Sequence, residues 1–296
     1  MDLAAYLEER ARLIDRELDR RLPADDVPPG DLHRAMRYPF EGGGKRIRPI
    51  LMMAACEAVG GDAGRALPAA CAMEMIHTAS LIHDDLPAMD DDDLRRGRPT
   101  CHKVFGEALA ILAGDALLTE AFILLSSPET VATFSPALVA RLVHVLARAS
   151  GSLGMAGGQA VDLASEGKEI DPATLDFIHT RKTGALILAS IEMGALIGGA
   201  DGASMEALLR HGRAVGLEFQ IADDILDVIG DPELLGKATG VDAQRGKATF
   251  PALYGLEEAQ RRAAELRDEA LAALSIFGEA ADPLRAIACY VVDRAV

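Results

Sequence analysis

Apolar residues recur along this chain at spacings of three and four, the period of helices that bury one face. Alanine and leucine are abundant, β-branched runs are scarce, and glycine and proline cut the pattern into helix-length segments. The spacing predicts helices over Asp2–Arg21, Gly30–Tyr38, Arg46–Val59, Ala66–His83 and Ala108–Ser126. It predicts others over Ser135–Gly151, Ser152–Ala164, Pro172–Ile197, Met205–Ile229, Glu257–Phe277 and Pro283–Arg294. Nothing alternates with period two for long enough to argue a sheet, and no linker-like or low-complexity tract divides the sequence. The expectation is an all-α fold, one large helical bundle formed by residues 1–296 as a single domain.

The pattern is broken by carboxylates in two places. The first reads His83-Asp84-Asp85-Leu86-Pro87-Ala88-Met89-Asp90-Asp91-Asp92-Asp93 and the second Phe219-Gln220-Ile221-Ala222-Asp223-Asp224-Ile225-Leu226-Asp227. Asp223 and Asp227, four apart, share a helical face with Gln220, and His77, Ser80 and Asp84 form one stripe. Pro87 interrupts the first helix, so Asp90 should lie on a bend that turns back toward Asp84. Acidic runs are commonly solvated loop tips, and Asp90 to Asp93 alone fit that reading. Asp223, Asp224 and Asp227 do not, because Phe219, Ile221, Ile225 and Leu226 bracket them and carboxylates in so apolar a helix need partners. Crowded like charges raise one another's pKa unless a cation sits between them. Mg²⁺ suits all-oxygen ligands and usually shares its shell with substrate phosphates. A diphosphate held by metal between two aspartate-bearing helices that face each other is the implied ligand.

Basic patches fit the same ligand. Glu41-Gly42-Gly43-Gly44-Lys45-Arg46-Ile47-Arg48-Pro49 joins three glycines to three cations just before a helix. Glycines let backbone N–H groups approach an anion, and a helix start favours negative charge. Lys45 and Arg48, three apart, can converge on one phosphate. Arg95 and Arg96 follow the first acidic run, where arginines either screen carboxylates or grip phosphate bidentately. Lys182 lies in a long apolar region, and Gly236-Lys237 and Gly246-Lys247 in a glycine-rich stretch beyond the second cluster.

Composition narrows the partners. A formal net charge of −16 argues against nucleic acid and against electrostatic attachment to an anionic membrane. The four cysteines, Cys56, Cys71, Cys101 and Cys289, show neither disulfide-framework nor zinc spacing, so reduced thiols and a cytoplasmic location are expected. No apolar run reaches the ~18 residues of a spanning helix without a charge, so no membrane span is expected.

In combination these residues strongly resemble the trans-isoprenyl diphosphate synthases, the polyprenyl synthetase family that includes farnesyl and geranylgeranyl diphosphate synthases. Asp84-Asp85-x4-Asp90-x4-Arg95-Arg96 resembles that family's first aspartate-rich motif in its longer form, and Asp223-Asp224-x2-Asp227 the second. Gly43 to Pro49, His77, Lys182-Thr183-Gly184, Phe219-Gln220 and Gly236-Lys237 stand in the expected order. The resemblance implies the isoprenoid synthase fold, helices around a central cavity in a homodimer. It also implies Mg²⁺-dependent head-to-tail (1′-4) condensation of isopentenyl diphosphate with allylic diphosphates. Asp84, Asp90 and Asp223 would ligate Mg²⁺, three ions per site, with Asp85, Asp224 and Asp227 supporting or sharing them. Arg95, Lys182, Lys237 and Lys247 would hold the allylic diphosphate, and Lys45, Arg48, His77 and Arg96 that of isopentenyl diphosphate. Thr183 and Gln220 would lie beside the developing allylic cation, with Lys182 completing the catalytic group.

Ala79 and Ser80, about one turn before Asp84, bear on product length. In the family an aromatic residue here floors the cavity at fifteen carbons; Ala and Ser leave space, so the expected product is geranylgeranyl diphosphate, with farnesyl diphosphate the alternative. The short end Asp293-Arg294-Ala295-Val296 departs from the basic tail that often closes the site. A class I terpene cyclase would not need a second diphosphate site, and it favours aromatic walls that a chain with four Tyr, eight Phe and no Trp lacks. A non-catalytic subunit of a heteromeric synthase tends to lose one aspartate motif, and both are present.

Overall fold

The structure is a computed structural model that describes residues 1–230 and 247–293. Its fold is all-α. In chain order the helices are α1 (Leu3–Arg21), α2 (Gly30–Glu41), α3 (Ile47–Ala58), α4 (Ala63–Asp84), α5 (Cys101–Phe105), α6 (Glu107–Ser126), α7 (Pro128–Thr133) and α8 (Pro136–Ser150). They continue with α9 (Met155–Ser165), α10 (Pro172–Ile178), α11 (Gly184–Gly198), α12 (Gly202–Ile229), α13 (Phe250–Tyr254), α14 (Leu256–Ala273) and α15 (Asp282–Asp293). These residues divide into two compact units, one over Asp2–Met53 and Gly64–Val143, the other over Ala54–Ala63 and His144–Val296.

In the first unit, α1 begins where the Asp2 carboxylate accepts the Ala5 N–H at 3.1 Å, and it buries Ile14 and Leu18. The lower part of α4 is almost wholly internal, with Met73, Met75, Ile76, Ala79 and Ile82 in the core. Beyond α4 the chain makes a two-residue hairpin, in which Leu94–Arg95 pair antiparallel with Arg98–Pro99. Both loop residues take left-handed backbone, Arg96 at φ 53° and Gly97 at φ 73°, the geometry that matches strand twist in so tight a turn. Period-two patterning cannot reveal strands this short. The α6–α7 stretch Glu107–Thr133 is long and apolar enough by composition to cross a bilayer. Asp115 and Glu120 interrupt it, and Ile111, Leu112, Leu118 and Ile123 remain exposed.

In the second unit α12 is the central element. The Asp201 carboxylate caps it by accepting the Ser204 N–H at 2.8 Å. A Cβ on Gly216 would stand 3.1 Å from the Gly184 Cα, so glycine here lets α12 lie against the start of α11. On the other side His211 contacts the Ala270 carbonyl of α14 at 3.0 Å through Nδ1.

Three short helices, α5, α7 and α13, are absent from the expected set. Their signals are local: Ser127 and Thr249 cap α7 and α13, with proline following each. The helix expected over Pro172–Ile197 is a correction of another kind. It is interrupted by a π-turn over His179–Thr183, where the Gly184 N–H donates to the His179 carbonyl five residues back. Neighbouring structure forces this, because α9 presses on the turn. A Cβ at Gly158 would sit 2.2 Å from the Lys182 backbone nitrogen.

Glu218 in α12 is wholly buried, and neither carboxyl oxygen has a hydrogen-bond partner among the described residues. Burial pushes its pKa up to about 9, opposed only by the Arg267 charge. The folded pKa exceeds the unfolded one, so the group's contribution to stability is complete below pH 4.5 and is lost as pH rises toward 9. Glu218→Gln should therefore match wild type near pH 4 in urea titrations and exceed it by a margin that widens as pH rises toward 9. Parallel stability profiles for the two proteins would contradict the buried, protonated state.

Candidate active site

The first acidic motif grows from the end of α4. After Pro87 the chain bends so that the Asp90 N–H donates to the Asp84 carbonyl at 2.8 Å, the Asp91 N–H to Leu86 at 3.1 Å and the Asp92 N–H to Asp85 at 3.3 Å. The return of Asp90 toward Asp84 expected from Pro87 is present. The two adjacent aspartates differ sharply. Asp84 is half-exposed, whereas Asp85 is buried and gripped by Arg95, with Nε at 2.7 Å and a terminal nitrogen at 2.6 Å. Burial raises the Asp85 pKa, and the bond and charge of Arg95 act against it without cancelling it. In this structure Arg95 screens the Asp85 carboxylate. Lys103 meets Asp93 at 2.6 Å, which leaves Asp93 an ordinary surface ion pair.

The glycine–cation segment also divides by role. Arg46, one of its three cations, is buried and neutralised by Asp15 at 2.7 Å and Glu74 at 2.9 Å. Burial works against its charge, but Glu74 and Asp15 outweigh burial and keep it protonated. Arg48 donates to His77 Nε2 at 3.1 Å, and Arg96 donates to the Gly43 carbonyl. A Cβ on Gly44 would crowd the Arg96 guanidinium and displace it from its present place. Burial holds the His77 pKa well below its ordinary value, and the charges of Arg48, Arg96, Arg95 and Arg46 lower it further. A neutral histidine among arginines is an environment that suits an anion. Lys45 is exposed beside it. On the stripe shared with Asp84, Ser80 is half-exposed and donates to the His77 carbonyl at 2.8 Å, while Ala79 is buried in the packed core.

In the second unit the π-turn sets its side chains in a connected network. Lys182 Nζ donates to Asp162 Oδ2 at 2.6 Å. The Thr183 hydroxyl donates to Gln220 Oε1 at 2.7 Å, and Gln220 Nε2 donates to Asp224 Oδ1 at 2.9 Å. Asp224 Oδ2 accepts the Phe250 N–H at 2.8 Å and lies 3.3 Å from His179 Nε2. Asp224 is thus buried with both oxygens engaged, whereas Asp223 is half-buried and Asp227 buried on the same helical face as each other.

Asp162, Gln159 and His179 were not anticipated. Both ends of the Gln159 amide are buried without a partner among the described residues, one turn before Asp162, which marks it as a substrate-facing candidate. The available signal was Gly157-Gly158-Gln159, glycines that bring α9 against Lys182. Lys247 is half-buried near the start of α13, and Lys237 and Arg294 lie outside the described residues.

The carboxylates fit Mg²⁺. No group of three or more His, Cys, Asp or Glu side chains able to hold a metal forms among the described residues. Few protein oxygens with the remaining shell filled by water and phosphate is how Mg²⁺ is usually bound.

The polyprenyl synthetase family model matches residues 30–275. The chain belongs to the polyprenyl synthetase family. It is 47% identical to a geranylgeranyl diphosphate synthase of Cyanophora paradoxa, covering 99% of this chain and 97% of that one. It is 48% identical to the large subunit 1 of a chloroplastic heterodimeric geranylgeranyl pyrophosphate synthase of Arabidopsis thaliana, over 99% and 80%. Among solved structures, an FPP/GFPP synthase of Zymomonas mobilis superposes with a TM-score of 0.88 at 43% identity, over 98% and 99% of the two chains. A geranylgeranyl pyrophosphate synthetase of Pyrococcus horikoshii gives 0.87 at 35% identity, over 99% and 98%.

Proposed function

We propose that this chain is a prenyltransferase that condenses isopentenyl diphosphate with allylic diphosphates, head to tail, to geranylgeranyl diphosphate. The observation that carries this reading is on α4 alone. One helix presents an arginine-flanked neutral histidine and, seven residues on, a half-exposed aspartate closed by the Asp90 bend. At ~1.5 Å per residue these features stand about 10 Å apart, room for two diphosphates with different means of neutralisation. The names of the relatives, most of them geranylgeranyl diphosphate synthases, support the same activity.

The contacts support the following roles. Arg48, Arg96 and Lys45 hold the isopentenyl diphosphate, and neutral His77 orients Arg48 by accepting from it. Asp84 and Asp90 in the first unit, and Asp223 in the second, would each offer oxygens to Mg²⁺, which when bound neutralises the leaving diphosphate without a proton donor. Lys182, held by Asp162, and Lys247 add charge around the allylic diphosphate. The Thr183–Gln220–Asp224 chain fixes the Gln220 amide and leaves the Thr183 oxygen lone pairs for a developing cation. The apolar neighbours of both motifs keep water from that cation. The whole chain acts as one polyprenyl synthetase domain. Its exposed α6 face, Ile111, Leu112, Leu118 and Ile123, is the surface for a second copy in a homodimer.

Three measurements test these readings. With Mg²⁺, isopentenyl diphosphate and dimethylallyl diphosphate, the purified chain alone should turn over; Asp84→Ala and Asp223→Ala should each lower kcat by about 100-fold or more. Near-normal kcat in either would sink the metal assignment, and inactivity without a second protein would favour a heteromeric subunit like the Arabidopsis relative. Chromatography of the dephosphorylated products should show a dominant twenty-carbon alcohol. Ser80→Phe should shorten it with little loss of stability, whereas Ala79→Tyr should also destabilise the core by ~1–3 kcal/mol. A dominant fifteen-carbon alcohol in wild type overturns the product reading. In sedimentation equilibrium, wild type should be dimeric and Leu112→Asp with Leu118→Asp monomeric; an unchanged dimer removes α6 from the interface.

A further inference from the structure

A groove of about 1360 Å³ opens in the second unit, and of the motif residues only Gly184 borders it. Helices α11, α12 and α14 line it, with the ends of α8 and α10. It exceeds the ~300–1,000 Å³ of ordinary small-ligand pockets, so it can take a long tail as well as a head group. Its floor is apolar: Ala185, Leu188, Ala214, Leu217 and Leu266 face it, and Leu153 and Phe177 are 75% and 38% exposed at its rim.

Charge decides what it suits. Five arginines and two glutamates line the groove, Arg148, Arg181, Arg210, Arg213 and Arg262 against Glu192 and Glu269. Both carboxylates are already engaged, Glu192 by Arg148 at 3.1 Å and Glu269 by Arg262 at 3.0 Å. Arg181 donates to the Leu153 carbonyl at 3.2 Å. Arg210 and Arg213 are exposed, three apart on one face of α12, and make no hydrogen bond or ion pair among the described residues. A concentration of unneutralised cations over an apolar floor stands out in a chain of net charge −16. Two guanidinium forks on one helix face match phosphate geometry, and an apolar trough beside them matches hydrocarbon.

We propose that this groove is a second binding site, for a prenyl diphosphate of the class the chain is proposed to make. The diphosphate meets Arg210 and Arg213, and the hydrocarbon lies over Leu217, Leu188 and Phe177. Occupation would report product accumulation away from the proposed catalytic side chains and act as feedback. The inference rests on the prenyltransferase reading, and its test separates the two.

Radiolabelled geranylgeranyl diphosphate is added to the full chain in EDTA, so that the metal-dependent site is silent. Wild type should bind it, Arg48→Ala should bind it equally, and Arg210→Ala with Arg213→Ala should weaken it at least tenfold with an unchanged circular dichroism spectrum. With Mg²⁺ and saturating substrates, added product should inhibit wild type, and the double variant should need at least tenfold more for half-inhibition while keeping wild-type kcat. Metal-independent binding that is absent, lost in Arg48→Ala or unaffected in the double variant overturns the groove. So does preferential binding of phosphatidic-acid vesicles. Failure of the prenyltransferase reading shows separately, as no turnover with Mg²⁺.

Discussion

Arg46 is the residue on which the anion pocket depends. It sits in left-handed backbone at φ 47°, between the glycine run and α3, and carries a buried charge that water cannot solvate. Asp15 on α1 and Glu74 on α4 answer that charge, and the Phe40 carbonyl accepts a further N–H at 3.2 Å. Removing one partner of such a pair leaves an uncompensated charge inside, a loss of ~3–5 kcal/mol. The glycine segment is therefore pinned to two helices by one side chain. With the segment pinned, Gly44 admits Arg96, and Arg48 meets His77. A residue that binds nothing sets the place of those that do.

The two acidic motifs obey one rule that their sequences do not display. In each adjacent pair the second aspartate is buried and engaged by protein, Asp85 by Arg95 and Asp224 by Gln220 and the Phe250 N–H. The first of each pair, Asp84 and Asp223, is only half-buried. Like charges on adjacent residues repel, and burying both would cost more than any single partner returns. Giving the second aspartate wholly to the protein relieves that conflict and fixes the helix that presents the first. Spacing alone favours Asp223 and Asp227 as a pair. The contacts show that Asp224 matters by holding Gln220, and through it Thr183.

Long helices were legible because burial imposes its period on every turn, and both acidic motifs were legible because carboxylates interrupt that period. What stayed hidden has a common cause in neighbouring structure. The π-turn at His179–Thr183 follows from α9 pressing on Lys182 at Gly158, a contact between segments with no trace in local spacing. Lys45, Arg46 and Arg48 look alike in sequence, and only Asp15 and Glu74, far along the chain, single out Arg46. Asp162 is a lone aspartate in a helix of ordinary composition until Lys182 is placed against it. The hairpin at Arg96-Gly97 is too short for alternation to show.

Partnered charges give these surfaces their selectivity. Asp85, Asp162 and Asp224 each spend their charge on a protein donor, so the second unit's π-turn and the end of α4 present organised rather than diffuse negative charge. Organisation matters for carbocation chemistry, where a mobile carboxylate would trap the cation and a mobile water would quench it. A fixed hydroxyl such as Thr183, its proton already given to Gln220, offers lone pairs in one direction only and gains no freedom to attack. Preorganised dipoles of this kind stabilise developing charge without reorganising at the moment of reaction. On the proposed function, the hydrogen-bond chain from Thr183 to Phe250 would do for a cation what the Arg48–His77 contact would do for an anion: each fixes its side chains before a ligand arrives.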